Sequence, residues 1–96
     1  MNPIQIDARL PLHFLIRRRR QQLGLLQADI AEACHVTPES VTQWEAGRRR
    51  MELSKIPRLA NALHMNAREL CIKALQEFHP PVYHTLFGDR TTPHSV

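Results

Sequence analysis

The sequence predicts an all-α domain of five helices followed by a short C-terminal extension. Three observations carry that reading. Hydrophobic residues make up 43% of the 96 but aromatic ones only 5%, so the core must be aliphatic and alanine-rich, as in small helical bundles. No segment alternates strongly between apolar and polar residues, and β-branched runs are few, so the period-two signal of half-buried strands is missing. Gly, Pro, Thr and Asn stand where helices start and stop. A chain of 96 residues has room for one modest core.

Residues 1–9 read as an arm, 10–78 as the helical domain and 79–96 as an extension that is partly disordered. The first helix is expected over 11–23, because Pro11 is acceptable in a first turn and Gly24 supplies a left-handed stop. Its apolar face holds Leu12, Ile16 and Leu23, and Arg20 falls on that same face, an odd place for a residue that resists burial. The second helix spans 27–33. Thr37 caps the third, with Pro38 at its first position, and Gly47 stops it after Ala46. A basic loop, 48–51, leads to a fourth helix whose face is Leu53, Ile56, Leu59, Ala60 and Leu63. Asn66 caps a fifth, with the stripe Ala67, Leu70, Cys71, Ala74, Leu75 and Phe78. Pro80 and Pro81 break that helix, and Val82, Tyr83, Leu86 and Phe87 form one more apolar turn or short helix. Residues 88–96 are polar and expected to be disordered. There is no internal repeat.

The segment QADIAEACHVTPESVTQWEA, residues 27–46, reads as two short helices joined by a tight turn. Two helices crossing steeply need a small residue at the crossing, and Ala31 supplies it. Val36 plugs the turn, while Val41 and Trp44 hold the second helix of the motif against the first. The opposite face of that second helix carries Glu39, Thr42 and Gln43, free to meet a groove.

Charge supports the same reading. The formal net charge is +4, and seven of the thirteen basic residues lie in two arginine runs, 17–20 and 48–50, on either side of the motif. A mild basic excess alone favours nucleic acid only weakly, but its clustering as arginine suits phosphates and guanine edges.

The motif resembles the phage repressor and Cro-type, or XRE, helix-turn-helix family. Its marks are QADIAEA, VTQWEAGRR after the turn, and LANALHMNARELC further on, so the resemblance covers residues 12–75. It implies a repressor-like DNA-binding domain of bacterial or phage origin. Two positions depart from the family: His35 stands at the turn where glycine is usual, and Pro38 stands where relatives place a polar base-reading residue.

Expected base-reading residues are Pro38, Glu39, Thr42 and Gln43. Gln43 suits a bidentate pair with adenine, Glu39 can accept from cytosine N4, Thr42 can touch a thymine methyl or a phosphate, and Pro38 offers only an apolar brush. Ser40 binds backbone or base. Gln27 opens the second helix, where side-chain and backbone amides meet a phosphate, and the resemblance implies a glutamine clamp there. Arg48 and Arg49 are expected to neutralise phosphates, as are Arg17, Arg18 and Arg19, with Arg19 the best placed of its run. Arg20 and Glu45 are assigned to a partly buried ion pair, which relatives also carry.

Other function classes find little support. No nucleophile–base pairing, paired carboxylates or glycine-rich phosphate loop points to an enzyme, and no cofactor is implied. The six histidines lack ligand-like spacing, so no metal site is expected. Cys34 and Cys71 fall on apolar faces and read as small core residues. No signal peptide or membrane span is expected, which suggests a cytoplasmic protein with reduced thiols.

A single such domain presents one short helix to DNA, and these proteins usually dimerise on two half-sites. The apolar Val82, Tyr83, Leu86 and Phe87 then form a dimer or partner contact, or else pack back on the first helix beside Phe14 and Leu15. The expected function is a homodimeric transcriptional repressor acting by steric occlusion. The alternative is an antitoxin that binds a toxin protein and autorepresses its operon.

Overall fold

Six α-helices and one 3₁₀ turn make up the computed structural model, which describes residues 6–7 and 9–88. Most of the expected N-terminal arm and all of 89–96 lie outside the described residues. The helices are α1 (Leu12–Gln22), α2 (Gln27–Cys34), α3 (Pro38–Glu45), α4 (Ile56–Ala62), α5 (Ala67–Phe78) and α6 (Pro80–Phe87), with the 3₁₀ turn at Leu53–Lys55. No strand occurs among the described residues. The expected extension thus supplies a sixth helix, with Pro80 and Pro81 in its first turn, where a missing N–H breaks no bond.

One aliphatic core joins the first five helices. Leu12 and Ile16 of α1, Ile30 and Cys34 of α2, Val41 and Trp44 of α3, Leu59 and Leu63 around α4, and Leu70 and Ala74 of α5 are all buried in it. Ala31 is buried on α2, which packs against both α3 and α4. Leu53 departs from expectation. It lies in the 3₁₀ turn and is exposed, because α4 begins only at Ile56, with Pro57 in its first turn. Ala67 is likewise exposed, while Lys73 is buried and paired with Glu77 at 3.1 Å.

Helix termini are closed by named groups. Thr37 Oγ1 accepts the Ser40 N–H at 3.2 Å to start α3, and Asn66 Oδ1 accepts the Glu69 N–H at 2.9 Å to start α5. The Asp29 carboxylate takes the Leu26 N–H at 2.8 Å at the start of α2. Pro11 offers α1 no such cap. Instead the Glu77 carboxylate, from the far end of α5, accepts the Leu12 N–H at 2.8 Å.

The turn between α2 and α3 pivots on His35, left-handed at φ 58° and ψ 46°. The Val36 N–H reaches back to the Ala31 carbonyl at 3.0 Å, completing the helix stop. The same device recurs after α4: His64 has φ 53°, and the Met65 N–H bonds the Ala60 carbonyl at 2.9 Å. A left-handed histidine, an inward-facing apolar residue and a helix cap thus follow one another twice, as His35–Val36–Thr37 and His64–Met65–Asn66.

Side chains in left-handed backbone cost about 1–2 kcal/mol relative to the right-handed state, partly offset in glycine by its larger unfolded entropy. His35→Gly is therefore expected to stabilise the domain by about 0.5–1 kcal/mol, and the β-branched His35→Val to destabilise it. Thermal melts followed by circular dichroism check this, with the glycine variant melting a few degrees higher.

Candidate nucleic-acid interface

α3 is amphipathic by construction. Val41, Trp44 and Glu45 are buried, whereas Pro38, Glu39 and Thr42 are exposed and Ser40 and Gln43 half-buried. The expected base-reading residues therefore share one outward side of a single helix. Ser40 is also tied to the cap, its hydroxyl 3.1 Å from that of Thr37.

The inward side is held by a polar network. Arg20 of α1 grips Glu45 with a two-pronged fork, Nε to Oε2 at 2.7 Å and Nη2 to Oε1 at 2.9 Å. Its third nitrogen donates to the Leu25 carbonyl at 2.8 Å. The Glu45 hydrogen bond raises the Arg20 guanidinium above its ordinary pKa, so the charge is permanent. Gln27 Nε2 donates to Glu45 Oε1 at 3.1 Å, and Thr42 Oγ1 donates to Gln27 Oε1 at 2.7 Å. One continuous path thus links α1, the end of α3, the start of α2 and the outward face of α3. Arg17, Arg20, Gln27, Thr42, Glu45 and Ala46 line a depression of about 230 Å³ beside that face, open to solvent at the exposed Arg17.

The arginine runs are not uniform. Arg17 and Arg18 are exposed, but Arg19 turns away: its Nε donates to the Leu63 carbonyl at 2.9 Å. It closes the end of α4, so the residue expected to be the best-placed backbone contact of its run has one nitrogen taken up within the protein. In the second run Arg48 and Arg49 are exposed and, among the described residues, have no side-chain partner. Arg50 instead bonds the Phe78 carbonyl at 3.3 Å and lies 5.9 Å from the centre of the Phe78 ring.

Gly47, at φ 73°, lets the chain leave α3, and a Cβ there would meet the His13 ring at 3.0 Å. His13, Arg48, Arg49, Arg50, Glu77 and Phe78 border a second cavity of about 280 Å³ on this side. Sequence reading passed over His13, because it approaches this loop only through the packing of α1 on α3.

The expected partner residues Val82, Leu86 and Phe87 lie exposed on α6, with Tyr83 half-buried and its ring 5.4 Å from that of Phe87. α6 packs on α5, Leu15 is buried, and Phe14 stays 44% exposed. Burial pushes both thiols, Cys34 and Cys71, above their ordinary pKa, so neither is a ready nucleophile at neutral pH. Among the described residues no group of three or more His, Cys, Asp or Glu could hold a metal ion, and no helix is long and apolar enough to cross a membrane.

The chain matches the family model described as helix-turn-helix over residues 16–70. The chain belongs to the XRE-type helix-turn-helix family. It is thus a DNA-binding transcription regulator, in a family of regulators rather than enzymes. No curated protein and no solved structure matches the chain. The match stops within α5 and leaves α6 outside it.

The Arg20–Glu45 side chains are 13% and 4% exposed, so breaking the pair strands a buried charge. Glu45→Ala is expected to cost about 3–5 kcal/mol, and the double variant Arg20→Met with Glu45→Leu much less than the sum of its parts. Urea denaturation of the four proteins of the cycle measures this, and additive losses would contradict the coupling.

Proposed function

We propose that this chain is a sequence-specific reader of double-stranded DNA that represses transcription as a homodimer by occluding a promoter, its own or a neighbouring one. The observation that carries the reading is the division of α3. Its inner side is locked to α1 and α2 through Glu45, while on its outer side Glu39 and Gln43 have no side-chain hydrogen bond among the described residues. Such a helix enters the major groove without having to be ordered on binding.

In this reading Gln43 pairs with adenine through its amide, Glu39 accepts from cytosine N4 and Pro38 touches a base edge. Gln27, Ser40, Arg17 and Arg18 hold one stretch of backbone, and the free guanidinium groups of Arg48 and Arg49 another. Two copies meet through Val82, Tyr83, Leu86 and Phe87 of α6, a segment without Asp, Glu, Lys or Arg. An antitoxin role draws on the same exposed face, with a toxin in place of the second copy.

The deciding experiment is a fluorescence-anisotropy titration of the DNA upstream of the gene against a scrambled duplex at two salt concentrations. The expected result is a preference of about 10³-fold or more. Equal, steeply salt-dependent binding to both would argue against an operator there, and no binding at low salt would sink the reading.

Two further outcomes are expected. Gln43→Ala relaxes the preference at one base pair per half-site and leaves the salt dependence nearly intact, whereas Arg48→Ala weakens all DNA alike and lowers the salt slope by about one unit. Leu86→Asp converts the dimer to a monomer in sedimentation velocity and weakens operator binding. A chain already monomeric at micromolar concentration would move the α6 face to a different protein partner.

A further inference from the structure

We infer that Thr42 reads the C5 methyl group of a thymine, and that its hydroxyl takes no part as a donor to DNA. This rests on the DNA-reading function proposed above and assigns that site one chemical preference. A threonine hydroxyl carries a single hydrogen and can otherwise only accept. Here Thr42 Oγ1 has two protein acceptors within reach, Gln27 Oε1 at 2.7 Å and the Pro38 carbonyl at 3.1 Å. Whichever takes it, the hydrogen is committed inside the protein.

The direction of this bond is set by charge rather than chosen. Gln27 also faces Glu45 Oε1 at 3.1 Å, and a carboxylate oxygen there requires the amide nitrogen. The amide oxygen must then face Thr42, which must donate to it. Arg20 holds Glu45 in place, so the order of donors runs unbroken from α1 to the face of α3.

Two consequences follow for Thr42. It cannot donate to guanine N7 or O6, to adenine N7 or to thymine O4, the major-groove acceptors. Its oxygen is also drawn back toward the helix backbone and α2, so the methyl is the one part of this exposed side chain not engaged by the protein's hydrogen bonds. A methyl facing the groove complements the one apolar group on a major-groove edge, the thymine methyl. Gln27 keeps one amide hydrogen for a phosphate, so the network fixes a backbone contact and a base contact together.

The test begins with selection of a binding site from a randomised duplex pool by the full chain. Each thymine of the selected half-site is then replaced singly by uracil, which removes only the methyl, and affinities are compared for wild type, Thr42→Ser and Thr42→Val. At one position uracil is expected to weaken the wild type about three- to five-fold, the scale of one methyl group taken out of water. Thr42→Ser, which keeps the hydroxyl, should bind the thymine and uracil duplexes equally. Thr42→Val, which keeps the methyl, should retain the ratio while binding both more weakly, because Gln27 loses its anchor. Thermal melts matching the wild type verify that both variants fold. Indifference of the wild type to uracil at every position, or a thymine preference that survives in Thr42→Ser and vanishes in Thr42→Val, would overturn the inference. Failure to select any site would overturn the DNA-reading function itself.

Discussion

The Glu45 carboxylate is the constraint on which the rest of the arrangement depends. It sits at the end of α3, almost wholly buried, and receives two donors from Arg20 and one from Gln27. Apolar contacts from Val41 and Trp44 hold α3 near α2, but such contacts are non-directional and tolerate rotation about the helix axis. A bidentate arginine fork does not. The outward side of α3 is therefore aimed by a polar interaction under it, and the helix needs little reorganisation to meet a groove.

That network also explains how a core with 5% aromatic residues suffices. Helix ends carry unsatisfied N–H and C=O groups, and each one left buried would cost more than a methyl group contributes. Here local side chains cap the starts of α2, α3 and α5, and distant ones reach three further helix ends. Glu77 serves α1 from the last turn of α5, Arg19 serves α4 from α1, and Arg50 binds the last turn of α5 from the loop after α3. Each such bond ties two elements that are far apart in sequence, so capping and tertiary cohesion coincide.

The arginine runs illustrate how one composition serves several purposes. Successive residues on a helix are about 100° apart, so four consecutive arginines cannot share a face. Arg17 and Arg18 meet solvent, Arg19 meets the end of α4, and Arg20 enters the polar network. Basic charge counted along the chain therefore overstates what is available to a polyanion. Of the two runs, Arg17, Arg18, Arg48 and Arg49 are exposed without a hydrogen-bond partner among the described residues.

What the chain determines by itself is local. Thr37 before Pro38, Asn66 before a helical stripe, and Gly24 and Gly47 after helices can be read directly, because a cap or a left-handed stop involves groups only a few residues apart. The two-helix motif is legible for the same reason, as is the oddity of Arg20 on an apolar face. Tertiary structure decides what depends on who arrives from a distance. Arg19 looks as available as Arg18 until the Leu63 carbonyl is brought beside it. The same holds for Thr42, whose role turns on the direction of one hydrogen bond. A sequence lists its hydroxyl, but only the packed positions of Gln27, Glu45 and Arg20 dictate where that hydrogen goes.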